Sequence, residues 1–336
     1  MKSELNQIQW LRGIAAILVV LTHFLGKCYS VSLVDFSFPK GAIGVDIFFV
    51  ISGFIMMFVS EKKHQTPLGF FSNRFFRVYP IHLFFLMPLF FVYLINPNLI
   101  NSSVSKTYVW QSFFLIPEMR NDAEYINPVI WTLCYEMLFY LIFSFALFFK
   151  NIRYTFISTI SVIVLLAVSG CLYNGGNSFI SAVTDSISIE FCFGMIIYHF
   201  YKKGFLKISP FFLLFLTVSA YCLLANLSLP RFIKDGVPSS LLFILFINLP
   251  NIKIGFLNFL GNTSYEIYIC HVLVLSSVVM ILRHFGFTSL VLYFSLTVIS
   301  ILCVSYVIRV TVSNNIFYLR MWWAKIISST PSFFQK

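Results

Sequence analysis

Charge is scarce in this chain. Of 336 residues, 10% are Asp, Glu, Lys or Arg, and only 12 of those are acidic. Cysteine is equally sparing. Cys28, Cys134, Cys171, Cys192, Cys222, Cys270 and Cys303 are dispersed, form no CxxC pair and show no metal-ligand spacing. Their odd number excludes a complete disulfide framework. No internal repeat or low-complexity segment interrupts the chain, and no A-x-A cleavage site follows the first apolar run, which is expected to persist as an uncleaved helix. The net charge of +11 comes without a basic arm or a nucleic-acid motif, so nucleic acid is not the expected partner.

Apolar mass is abundant. Hydrophobic residues make up 59% of the chain, with 42 Phe, and the mean hydropathy is +0.88. A soluble domain of this length could not hide so much apolar surface, so the lipid bilayer is the expected solvent. The pattern predicts an all-α polytopic membrane bundle of about ten transmembrane helices, near 8–27, 43–60, 78–96, 130–149, 154–173, 181–201, 209–228, 238–251, 262–282 and 287–311. Asn96-Pro97-Asn98, Asn174-Gly175-Gly176-Asn177, Lys234-Asp235-Gly236 and Leu260-Gly261-Asn262 punctuate them. The longest loop, about 97–129, carries Glu118, Asp122 and Glu124.

Basic residues set the expected orientation. Loops after even-numbered spans hold Lys62, Lys63, Arg74, Arg77, Lys150, Arg153, Lys202, Lys203, Lys207 and Lys253, whereas those after odd-numbered spans hold Lys27, Lys40, Lys106, Arg120, Arg231, Lys234 and Arg283. The terminal residues Lys2, Arg12, Arg320, Lys325 and Lys336 fall on the richer side. Both termini are therefore expected in the cytoplasm.

Ionisable residues inside such spans are costly and are functional hypotheses by default. Arg12 and His23 lie eleven positions apart in the first span, about three helical turns or roughly 16 Å on one face. With an ordinary pKa of about 6.5, His23 suits a general base; a polar cross-link between helices is the plainer alternative. Asp46 opens the second span at an expected depth like that of His23, either orienting the imidazole or capping the helix. Glu136 needs a partner or a proton, and His23 is the nearest expected one in depth. Arg74 and Arg77, at i and i+3 among phenylalanines, read as a short interfacial helix, serving as a phosphate clamp or as a snorkelling anchor. Tyr265, Tyr268 and His271 recur roughly on one face, as pore lining or as a polar network. Cys134 is discounted as a nucleophile because nothing nearby lowers its pKa. Glu190 is left without a role.

Together these segments resemble the acyltransferase 3 family of bacterial membrane proteins, which O-acylate surface polysaccharides, with the exopolysaccharide and O-antigen acetylase group the most similar. The resemblance covers about residues 8–310. It rests on Arg12 and His23, on Gly44-Val45-Asp46-x-Phe48-Phe49-x-x-Ser52-Gly53-Phe54, and on Arg74-x-x-Arg77. Trp131-x-x-x-x-Glu136-x-x-Phe139-Tyr140 and Gly261-x-x-Ser264-Tyr265-x-x-Tyr268-x-x-His271 complete it.

The resemblance implies a transmembrane domain over 1–312 and a short basic cytoplasmic tail over 313–336. It implies an acyl-CoA donor, usually acetyl-CoA, a glycan or lipid-linked saccharide acceptor, and residence in the bacterial inner membrane, with no tightly bound cofactor and no metal. His23, Glu136 and Asp46 are the expected catalytic group. Arg12, Arg74 and Arg77 are the expected donor contacts, and Tyr265, Tyr268 and His271 the expected substrate or pore lining. The rival readings are a transporter or flippase of an anionic or lipid-linked glycan and a non-catalytic sensor. Paired broken helices and repeated halves, which many transporters show, are lacking.

Overall fold

A computed structural model describes residues 5–62, 65–97, 107–119, 124–173, 175–313 and 315–316. Among the described residues the regular structure is helical apart from two short paired strands, β1 (Thr107–Tyr108) and β2 (Glu124–Tyr125). The helices are α1 (Asn6–Ser30), α2 (Ile43–Lys62), α3 (Pro67–Ile95), α4 (Val109–Phe114), α5 (Trp131–Ala146), α6 (Ile152–Leu172) and α7 (Ser178–Val183). They continue as α8 (Ile189–Lys202), α9 (Pro210–Leu224), α10 (Arg231–Lys234), α11 (Gly236–Ile247), α12 (Gly255–Asn262), α13 (Ser264–His284) and α14 (Leu290–Ile308).

Among the described residues, eight helices are long and apolar enough to cross a membrane. The two remaining expected spans are shorter than the sequence suggested. With 15 and 12 residues, α9 and α11 reach only about 22 and 18 Å at 1.5 Å per residue.

The third span is longer than expected and absorbs the arginine pair. Thr66 caps α3 by accepting the Gly69 N–H at 3.1 Å, and Pro67 occupies its first turn. Both are ordinary helix-start signals. Arg74 and Arg77 therefore stand on a continuous membrane helix, not on a separate interfacial one. The interleaved phenylalanines do not mark a helix lying flat: Phe70 is buried against Phe143 and Tyr140.

Close contact at the N-terminal end of α1 sets the frame for the site. Gly13 of α1 and Gly261 of α12 let the two helices meet at backbone distance. A β-carbon on Gly261 would run into the Gln9 carbonyl, and one on Gly13 would lie 2.8 Å from Leu260 Cβ. Polar bonds seal the same end. The Trp10 indole donates to Asn258 Oδ1 at 3.1 Å, the Gln7 amide donates to the Leu249 carbonyl at 2.8 Å, and Asn6 binds both Asn251 and Asn258. Directly after this contact, α13 starts at Ser264 and runs beside α1.

The loop before α5 is ordered over its described part. The Tyr125 hydroxyl receives the Glu118 N–H and donates to the Ile116 carbonyl, while the buried Asn127 amide donates to the Ile269 carbonyl of α13 at 3.2 Å. Lys2, Lys63, Lys106, Arg120, Arg320, Lys325 and Lys336, which entered the orientation argument, and Asp122 lie outside the described residues. So does nearly all of the basic tail 313–336.

Replacing Gly261 with Val should separate α1 from α12 and cost about 1–3 kcal/mol or more through overpacking. Thermal unfolding in detergent should register the loss, and an unchanged transition would show that the contact is not tight.

Candidate active site

Helices α1, α2, α3, α5 and α13 enclose a cavity of about 90 Å³. Arg12 and Arg77 enter it from α1 and α3, Glu136 and Tyr140 from α5, Ser52 from α2, and Ser264, Tyr265 and Tyr268 from α13. Phe48, Phe49 and Met56 close its apolar side. Glu136 accepts from the Tyr140 hydroxyl and, at 3.4 Å, from Ser52 Oγ. Arg12 donates to Gln9 Oε1 at 3.2 Å and lies within electrostatic reach of Arg77, Glu136 and Glu266. Away from water, such charges interact strongly and need one another. The Tyr265 hydroxyl donates to the Val78 carbonyl at 2.8 Å, so α13 is held against α3.

Tyr268 marks the far limit of the cavity. Its hydroxyl shares a 2.8 Å hydrogen bond with Thr132 Oγ1 and reaches the Val129 carbonyl at 3.2 Å. From there a line of rings runs away from the arginines. The Tyr268 and His271 rings are 5.7 Å apart, and the His271 and His23 rings 5.0 Å apart. His271 is wholly buried, and its Nδ1–H donates to the Tyr268 carbonyl at 2.5 Å. His23 thus turns toward α13 inside the bundle. It does not line the cavity; His271 and Tyr268 stand between them. The expected face of Tyr265, Tyr268 and His271 divides accordingly, the two tyrosines lining the cavity and the histidine continuing the line beyond it.

The structure gives Asp46 a partner other than His23. Both of its oxygens accept from Arg231, from Nε at 2.8 Å and from Nη2 at 2.9 Å. Depth explains why. Gly44 lies against the Ala15 carbonyl, and Asp46 follows two residues further toward the Asn6 end, while His23 is eight residues the other way. At 1.5 Å per residue that separates them by about 15 Å along the helix axes. Glu136, bonded to Ser52 still further toward that end, is likewise a neighbour of Arg12 and not of His23. Equal depths were assumed for helices that start at unequal ones. Helix α5 begins at Trp131, whose ring meets the Arg231 guanidinium at 5.5 Å, at the level of Asp46.

Arg231 anchors a second polar cluster. Burial pulls its guanidinium down, but hydrogen bonds and charge from Asp46, with Glu190 and Asp235 nearby, outweigh that and raise it. Glu190, left without a role in the sequence, is wholly buried here beside Gly236, in electrostatic contact with Asp46 and Arg231. Asp185, on the adjoining turn, accepts from the Tyr135 hydroxyl at 3.2 Å.

The arginine pair also divides. Arg77 lines the cavity, whereas Arg74 is buried against the Phe70 and Tyr140 rings, 5.6 and 5.9 Å from their centres. Tyr140 and Arg231 are the functional-site residues that sequence reasoning passed over. Tyr140 had a signal, since it stands four residues after Glu136 on one helix face. Arg231 had none, being 185 positions from its partner.

The sequence profile of the acyltransferase domain family matches residues 5–310. The exopolysaccharide production protein ExoZ of Rhizobium meliloti (strain 1021) is 30% identical over 258 residues, covering 72% of this chain and 78% of that protein. Acyltransferase MdmB of Streptomyces mycarofaciens is 28% identical over 161 residues, 45% of this chain and 40% of its own length. No solved structure matches significantly.

Arg231→Ala should strand the buried Asp46 beside Glu190 and destabilise the protein by about 3–5 kcal/mol, read as a lowered unfolding midpoint in detergent. Adding Asp46→Asn to it should recover part of the loss. Equal midpoints for Arg231→Ala and wild type would show that the pair does not hold the bundle together.

Proposed function

Since the chain belongs to the acyltransferase 3 family, and is a membrane acyltransferase, we propose that it moves an acyl group, acetyl by preference, from acyl-CoA to a hydroxyl of a cell-surface or lipid-linked glycan. The observation that carries this reading is one line of groups through the bundle: two arginines in a cavity at one end, and beyond Tyr268 at the other the buried His271 ring against the half-buried His23 ring. The printed name of the Rhizobium relative, an exopolysaccharide production protein, supports a glycan acceptor. Family membership removes the main support for the transporter reading, and no feature of the cavity favours it.

In this proposal the chain lies in the bacterial inner membrane with both termini in the cytoplasm, so the Arg12 and Arg77 end faces the acyl-CoA pool. Arg12 and Arg77 meet donor phosphate or pantetheine oxygens, as guanidiniums do well. Arg74, behind the Tyr140 ring, holds that wall of the cavity in place. Glu136, held by the Tyr140 and Ser52 hydroxyls, balances the cations. The thioester passes Tyr268 toward His23, where the glycan arrives from the opposite face. His23 takes the hydroxyl proton as the oxygen attacks the thioester carbon. The carbon–sulfur bond breaks, the acyl ester forms, and the proton on His23 passes to the leaving CoA sulfur. Tyr265 and Tyr268 line the path.

His23→Ala in purified protein should lower the turnover number for transfer of radiolabelled acetyl from acetyl-CoA to glycan by roughly 10²–10⁴-fold, with the protein still folded. Undiminished turnover would remove His23 from the chemistry. Arg77→Ala should raise KM for acyl-CoA about 10–100-fold, matching the roughly 1.5–3 kcal/mol of a charged hydrogen bond, with a smaller change in kcat. Arg74→Ala should act mainly on stability. An unaltered KM in Arg77→Ala would place the donor elsewhere.

A further inference from the structure

We propose that His271 is the positioning residue for His23, so that the base of this enzyme is oriented by a second neutral imidazole. The proposal rests on the reading of His23 as the base.

The geometry is specific. The Nδ1–H of His271 is committed to the Tyr268 carbonyl at 2.5 Å, which leaves Nε2 with a lone pair and no proton. That Nε2 is fully buried and has no hydrogen-bond partner, an unusual state for a polar atom in a closed interior. The ring beside it is His23, at a centroid distance of 5.0 Å and a tilt of 55°. Two imidazoles at that separation meet nitrogen to nitrogen when their facing edges turn together. The two carboxylates suggested for the task are engaged elsewhere, Asp46 by Arg231 and Glu136 by Tyr140 and Ser52.

The consequence for the reaction is definite. His23 directs an N–H at His271 Nε2, which fixes its tautomer and leaves the other ring nitrogen unprotonated toward the acceptor hydroxyl. When that nitrogen takes the hydroxyl proton, His23 becomes an imidazolium whose inner N–H is already held. His271 gains no proton. The one on the outer nitrogen goes on to the CoA sulfur, and both rings return to their starting state. The Tyr268 carbonyl orients His271 as His271 orients His23, so the chain of positioning leads back to the wall of the donor cavity.

The test combines kinetics with nitrogen NMR on the full chain in nanodiscs, labelled with ¹⁵N-histidine and with the His23 signal assigned by comparison with His23→Phe. Wild type should show His23 in one tautomer in the absence of substrate. His271→Phe, which keeps a ring but removes the acceptor, should show His23 in mixed tautomers. It should also lower kcat at least about ten-fold while leaving KM for acetyl-CoA unchanged. His271→Gln, which restores an acceptor oxygen, should recover part of both effects and serves as the folded comparison should the Phe variant fail to assemble. A single His23 tautomer in both variants would overturn the proposal, as would full kcat in His271→Phe or a matching rise in its KM. A tautomer shift on His271 substitution in a protein that transfers no acyl group would uphold the pairing and count against the acyltransfer reading instead.

Discussion

Gly13 and Gly261 bring α1 and α12 to backbone distance, and the placement of the polar groups follows from that contact. Because α12 meets α1 near its Asn6 end and α13 departs at once, Arg12 comes to face the start of α13 and His23 comes to face its interior. Hydrocarbon offers no hydrogen bonds, so a polar side chain on α1 must be met by a neighbouring helix. The seam supplies those neighbours in order: Asn258 for Trp10, the cavity for Arg12, His271 for His23. A wider crossing would leave Arg12 and His23 facing lipid or empty space.

The charged groups then sort into two clusters with different demands. Arg12, Arg77 and Glu136 border open space, where Gln9 and the Tyr140 and Ser52 hydroxyls bond Arg12 and Glu136, so they can exchange those contacts for a ligand. Asp46 and Arg231 are bonded through two parallel N–H groups and covered by Trp131, a geometry that satisfies both ions and leaves little to offer. A buried pair of this kind adds uncertain net stability, yet losing one member is costly. It therefore acts as a lock between α2 and the α10–α11 turn.

Much of this was legible in the sequence. Hydropathy alone supplied the membrane class and most of the spans, since apolar runs of twenty residues have few other uses. Helical periodicity put Arg12 with His23, Arg74 with Arg77, and Tyr265 with Tyr268. What it could not supply was the relative depth of different helices. The sequence of α2 is silent about where Gly44 meets α1, so Asp46 was set level with His23 when it lies about 15 Å away along the axes. Nor does local sequence reveal that Arg74 turns to an aromatic wall while Arg77, three residues on, reaches the cavity. Arg231 was legible only as a loop charge, because its role depends on a contact across most of the chain.

The pairing of two imidazoles agrees with the solvent in which it operates. A carboxylate beside His23 would be an anion in a low-dielectric interior, and burying one without full compensation costs several kcal/mol. Two neutral rings avoid that cost. The chain places its carboxylates where arginines balance them, Glu136 near Arg12 and Arg77, and Asp46 on Arg231. In the proposed pairing, His23 and His271 are both neutral until a proton moves. On this arrangement positive charge develops on His23 only during acyl transfer, at the moment when the attacked thioester carbonyl carries the complementary negative charge.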